Sequence, residues 1–127
     1  MLKSIIMVGL GGSIGAVSRY LTSLYITKYT GNGFPWATLG INLVGCLLIG
    51  IITGIIIDKE YSWPVREFLI VGILGGFTTF SAFGMETINL IRSGSMGAAA
   101  GYVSISLLAG VVFAGVGILL SRQFISM

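Results

Sequence analysis

Three strongly polar side chains, Arg19, Asn42 and Glu86, stand inside stretches that are otherwise apolar. A polar group surrounded by Ile, Leu, Val and Gly must find a partner or reach water, and within a membrane it marks function by default. The Arg19 guanidinium stays charged, so it either snorkels to an interface or meets water or an anion. The Asn42 amide has two donors and an acceptor oxygen. It serves as glue between helices or donates to a passing anion. Glu86 lies late in its stretch, where it caps a polar network or reaches the far interface.

The segment Gly75-Gly76-Phe77-Thr78-Thr79-Phe80-Ser81-Ala82-Phe83 is the least ordinary in the chain. Two glycines followed by two β-branched residues disfavour a continuous helix. A break there frees backbone carbonyls, which protein, water or a cation must satisfy. Unwound carbonyls in membrane helices hold Na⁺ in this way. Phe80 and Phe83 are three apart and share a helical face. Their ring edges are electropositive, so the pair either packs as ordinary aromatics or offers an anion a surface without full charge. Tyr102 and Ser106, four apart and flanking Ser104, line one stripe of hydroxyls. Such hydroxyls bond the preceding turn or form a polar track.

The elements that must position these groups follow from composition. The chain has 127 residues, 7 basic and 4 acidic. Its mean hydropathy is +1.02. A soluble domain carries about 25% charged residues, whereas this chain has 9%, which excludes a soluble protein. Disorder needs the opposite composition. There is no histidine, so triad catalysis and His-based metal sites are absent and an enzyme is not expected. Cys46 is the sole cysteine, a buried structural thiol that has no partner for an intrachain disulfide. The basic residues are scattered, so no nucleic-acid patch is expected. Lys3 and the apolar stretch after it imitate a signal peptide, but a retained first helix is the expectation.

Charges divide the chain into four apolar spans, each long enough for the roughly 20 residues a crossing helix needs. The expected helices cover about 3–27, 35–57, 65–92 and 97–122. Spans two and four, between flanking charges, are uncharged over 29 residues each, 29–57 and 93–121. Pro35 is placed to begin the second helix. Asp58-Lys59-Glu60 closes it, and Ser62-Trp63-Pro64 approaches the third. Trp36 and Trp63 fall where an interfacial aromatic belt belongs. Gly11/Gly15, Gly50/Gly54, Gly72/Gly76 and Gly97/Gly101 are each four apart, which predicts close backbone approach in all four helices. Lys3, Lys59, Arg66 and Arg122 share one side against Lys28 and Arg92 on the other. That weak bias suits either a chain inserting both ways or one with a single, weakly biased orientation.

Three stretches carry a resemblance over the whole length. Gly11-Gly12-Ser13-Ile14-Gly15-Ala16-Val17-Ser18-Arg19-Tyr20, Pro35-Trp36-Ala37-Thr38-Leu39-Gly40-Ile41-Asn42-Leu43-Val44-Gly45 and Gly72 through Phe83 resemble, in order, the first three helix motifs of the bacterial Fluc (CrcB) fluoride channel family. The resemblance implies an all-α membrane protein of four transmembrane helices with a break in the third. It further implies an antiparallel, dual-topology homodimer in the bacterial inner membrane, exporting fluoride passively. The implied pore residues are Phe80, Phe83, Asn42, Ser81, Thr79, Tyr102 and Ser106, with Arg19 in the vestibule. The implied cofactor is a structural Na⁺ at the dimer interface, held by the backbone carbonyls of Gly75 and Thr78. Ala82 departs from the family's usual Ser or Thr, and Gly110 and Ala114 continue the helix-four stripe without hydroxyls. Two rivals are a small multidrug transporter, which needs an acid in its first helix where this chain has Arg19, and a non-transporting accessory subunit.

Overall fold

The computed structural model describes residues 1–57 and 63–127. Among them every regular element is helical. Helix α1 spans Leu2–Thr30. It ends because Gly31 turns into positive φ (72°) while its N–H reaches back to the Thr27 carbonyl at 2.8 Å. A left-handed glycine closes a helix without the Cβ clash. Helix α2 spans Trp36–Ile57. Pro35 lies just before it instead of beginning it, and its carbonyl accepts from the Leu39 N–H at 3.1 Å. The expected closure at Asp58-Lys59-Glu60 and the approach at Ser62 lie outside the described residues, as does the Trp63 side chain.

Helix α3, residues 63–77, is composite. An α-helical turn Trp63–Arg66 leads into a π-helical stretch Glu67–Leu74 and a last turn Gly75–Phe77. After two extended residues the chain resumes as α4, Phe80–Arg92. A tight connection with Gly94 at φ 84° leads to α5, Met96–Ile125. Four stretches are long and apolar enough to cross a membrane: Leu2–Thr30, Trp36–Ile56, Pro64–Arg92 and Met96–Ile125. The third joins α3 to α4.

The helices associate as two pairs, α1 with α3 and α2 with α5. Lipid gives helices no hydrophobic reason to associate, so contact comes from close backbone approach at small residues. A Cβ on Gly15 would run into the Ile73 carbonyl and lie 2.8 Å from the Phe77 nitrogen. One on Gly72 would sit 2.9 Å from the Gly11 Cα. In the second pair, Gly50 faces the Ala114 carbonyl and Gly117 faces the Leu47 carbonyl. The fourth expected pair is corrected: a Cβ at Gly97 or Gly101 meets nothing within 4 Å. Those glycines border the start of α5, whose buried side is built from Ala99 and Tyr102 instead.

The buried centre is small. Leu39, Leu90, Ala99 and Tyr102 form it, with Phe34, Leu43 and Phe83 packed against them. The chain exposes 8111 Å², against about 6,500 Å² for a soluble monomer of this mass. Large apolar residues on α1 and α5, among them Leu10, Leu21, Leu108 and Val111, are exposed. This is the surface of a multi-pass protein that uses lipid as its solvent.

Candidate functional site

The break in the third span falls at Thr78 and Thr79, not at the glycines. Gly75 remains helical (φ −62°, ψ −37°), while Thr78 and Thr79 are extended, with ψ of 157° and 124°. Threonine hydroxyls compete for backbone partners, and both do so here. The Thr78 hydroxyl and its N–H both donate to the Leu74 carbonyl, at 2.9 and 3.0 Å. The Thr79 hydroxyl caps α4, accepting from the Ala82 N–H at 3.3 Å, and lies 3.4 Å from the Ser81 hydroxyl.

Two long-range side chains attend the break. Asn42 on α2 grips the Thr79 backbone from both ends: its amide donates to the Thr79 carbonyl at 2.9 Å, and its oxygen accepts from the Thr79 N–H at 2.9 Å. Arg19 on α1 donates through Nε to the Gly76 carbonyl at 3.1 Å. Among the described residues the carbonyls of Gly75 and Thr78 accept no hydrogen bond. Gly45 lies directly under the Thr78 methyl, where a larger residue would dislodge the threonine.

An aromatic chain runs from the break toward the α1–α2 connection. Ring centroids are 5.5 Å apart for Phe80 and Phe83, 5.1 Å for Phe83 and Tyr102, 5.5 Å for Tyr102 and Phe34, and 4.6 Å for Phe34 and Trp36. Phe80 is 79% exposed and Tyr102 is 0% exposed, so the chain begins at the protomer's surface and passes through its centre. The Tyr102 hydroxyl donates to Glu86 at 2.8 Å, and the Thr38 hydroxyl donates to the other carboxylate oxygen at 2.7 Å. Glu86 therefore sits in a polar network. Ser106 lies half-buried one turn beyond Tyr102.

Three hollows connect these groups. A cleft of about 360 Å³ opens among Ser23, Thr27, Phe34, Trp36, Glu86 and Ser93. A second, about 230 Å³, joins Arg19, Ser23, Thr38, Thr79 and Glu86. A third, about 310 Å³, is a largely apolar groove along Asn42, Cys46, Leu74, Gly75, Thr78 and Phe80. The first two share Ser23, Thr38 and Glu86 in their lining, between the α1–α2 connection and the break; the third is lined by Gly75 and Thr78.

The structure thus gathers Asn42, Thr78, Thr79, Ser81, Phe80 and Arg19 at the break, with Phe83 one aromatic step away and Tyr102 two. Thr38 and Phe34 were missed by sequence reasoning. Thr38 precedes Asn42 by four residues and shares its helix face, so the spacing held a signal. Phe34 sits in a loop and had none.

The match to known proteins is extensive. The family model described as "CrcB-like protein, Camphor Resistance (CrcB)" matches residues 6–118. A Rhodospirillum centenum protein named fluoride-specific ion channel FluC is 41% identical over 121 residues, covering 93% of this chain and 96% of its own length. A protein of the same name from Flavobacterium psychrophilum is 41% identical, covering 96% and 99%. One from Nitrobacter winogradskyi is 46% identical, covering 90% and 93%.

Proposed function

Because the chain belongs to the CrcB-like family, we propose that the helix break and its aromatic pair form the selective part of a fluoride pathway. The protein is a fluoride-specific ion channel set in a lipid bilayer, and it makes and breaks no covalent bonds. The family assignment displaces the multidrug-transporter and accessory-subunit readings.

Fluoride is small and strongly hydrated, so a pore must replace its water shell with donors and still release it. In this reading fluoride enters the polar clefts, where the Arg19 charge raises its local concentration. It then passes the electropositive ring edges of Phe80 and Phe83, beside Asn42, Thr79 and Ser81. Tyr102 and Ser106 flank the route on α5. In the bacterial inner membrane, the potential would drive the anion outward, at about 2.3 kcal/mol per charge per 100 mV.

The working unit in this reading is an antiparallel homodimer. The exposed Phe80 ring and the apolar groove beside it support an apolar partner on this face, and a second copy would bring the same ring and groove to it. A structural Na⁺ fits the same place. Among the described residues no group of three His, Cys, Asp or Glu could hold a metal, whereas the unclaimed Gly75 and Thr78 carbonyls are hard oxygen donors. One protomer offers two such oxygens, and a second copy would double them. The ion would neutralise carbonyl dipoles facing one another across the interface.

The observation that carries the reading is that the break places bare carbonyls and the Phe80–Phe83 pair within one short segment. The test is side-by-side efflux of fluoride and chloride from liposomes holding the purified protein. Fluoride should leave and chloride should stay. Phe83→Ile should slow fluoride about tenfold or more, the effect of losing about 1.4 kcal/mol at the highest barrier, with the dimer intact by size exclusion. Unchanged efflux from this variant would remove the phenylalanine pair from the pathway.

A further inference from the structure

We propose that Arg19 is a positioning residue for the helix break, acting through the hydrogen bond from its Nε to the Gly76 carbonyl. The bond exists because of how α1 meets α3. Gly12, Ala16 and Arg19 are spaced four and three apart and share one helical face. A Cβ on Gly76 would lie 2.5 Å from the Gly12 carbonyl and 3.1 Å from the Ala16 nitrogen. That backbone-to-backbone contact brings the next turn of α1 within reach of the break, where Arg19 Nε meets Gly76 at 3.1 Å.

The Gly76 carbonyl needs an outside donor. Its helical partner would be the N–H of Phe80, but Phe80 opens a new helix after two extended residues. An orphan carbonyl at this depth is costly, and a charged donor makes a stronger bond than a neutral one. Arg19 and Asn42 therefore hold the break from opposite sides, one on Gly76 and one on Thr79. The division of carbonyls matches. Gly75 and Thr78 line the groove beside Asn42 and Cys46, whereas Gly76 does not. Holding Gly76 against α1 keeps it out of the groove that its neighbours line. The link to Na⁺ rests on the proposed function above; the clamp on the backbone does not.

Side-chain chemistry separates the clamp from the vestibule charge. Lysine keeps the charge but places a methylene where arginine has Nε. Glutamine loses the charge but places an amide nitrogen at that same atom position. The measurement is amide hydrogen exchange over residues 75–82 in full-length protein in nanodiscs, with and without Na⁺. Without Na⁺, Arg19→Lys should speed exchange about tenfold, the equilibrium effect of one charge-assisted hydrogen bond, and Arg19→Gln, whose neutral amide makes the weaker bond, should fall between wild type and the lysine variant. Assembly of the glutamine variant alone, with the lysine variant failing to assemble, supports the clamp equally. The reverse order overturns it. So does equal behaviour of the two variants, whether both protected, both fast or both unassembled. In wild type, added Na⁺ should slow the same segment. Absence of that slowing overturns the sodium site alone, because the two variants compared in Na⁺-free buffer still decide the clamp.

Discussion

Asn42 uses one amide to satisfy both the donor and the acceptor of Thr79. Removing it leaves two backbone groups bare at membrane depth. Asn42→Ala should therefore lower stability by about 2 kcal/mol, at about 1 kcal/mol for each net hydrogen bond. A fall in the thermal midpoint of the purified protein is the measurement. An unchanged midpoint would mean that the amide contributes to conduction alone. The sequence singled out Asn42 as a polar group that needed a partner. It could not say which partner, because the Thr79 backbone is free to bond only where the helix has been interrupted. Glu86 is a parallel case. Its carboxylate was visible, but its two hydroxyl partners come from α2 and α5, and no spacing along one helix brings those together.

Glycine placement decides how the helices meet. Gly15 has the Ile73 carbonyl where a Cβ would go, so Gly15→Ala should push α1 off α3, costing about 1–3 kcal/mol as overpacking does. Gly9 on the same helix meets nothing within 4 Å, so Gly9→Ala should be neutral. Denaturation of the two variants in parallel measures the difference; equal stability would mean that the α1–α3 contact bears no load. The spans were legible because charges bound them, and three of the four glycine pairs were legible because spacing by four shares a face. The Gly97/Gly101 pair was not: it obeys the same spacing while its face meets nothing within the protomer. The break was legible as a place of conflict, but the residues that break are the threonines. Glycine fits a helix when a neighbour's backbone needs the room, whereas a hydroxyl offers the backbone another partner. The π-helical stretch Glu67–Leu74 left no mark in an apolar run.

At the scale of the whole molecule, the connections 31–35 and 93–95 carry no Lys or Arg of their own to impose an orientation. Insertion in both directions should show in labelling. With Cys46→Ala as background, Asn32→Cys places one thiol on the exposed α1–α2 connection. A membrane-impermeant maleimide should then modify about half of the molecules from either side of the bilayer if the proposed dual topology holds, as the weak charge bias permits. Labelling from one side only would refute dual topology and the antiparallel dimer with it. The glycine contacts also bear on how this protein responds to cold. Soluble proteins lose stability on cooling because burial from water carries a large heat capacity. Here α1 and α3, or α2 and α5, separate into lipid, and their carbonyls and glycines exchange one dry neighbour for another. The stability of each pair should then vary almost linearly with temperature, without the low-temperature decline that curves the profile of a water-soluble fold.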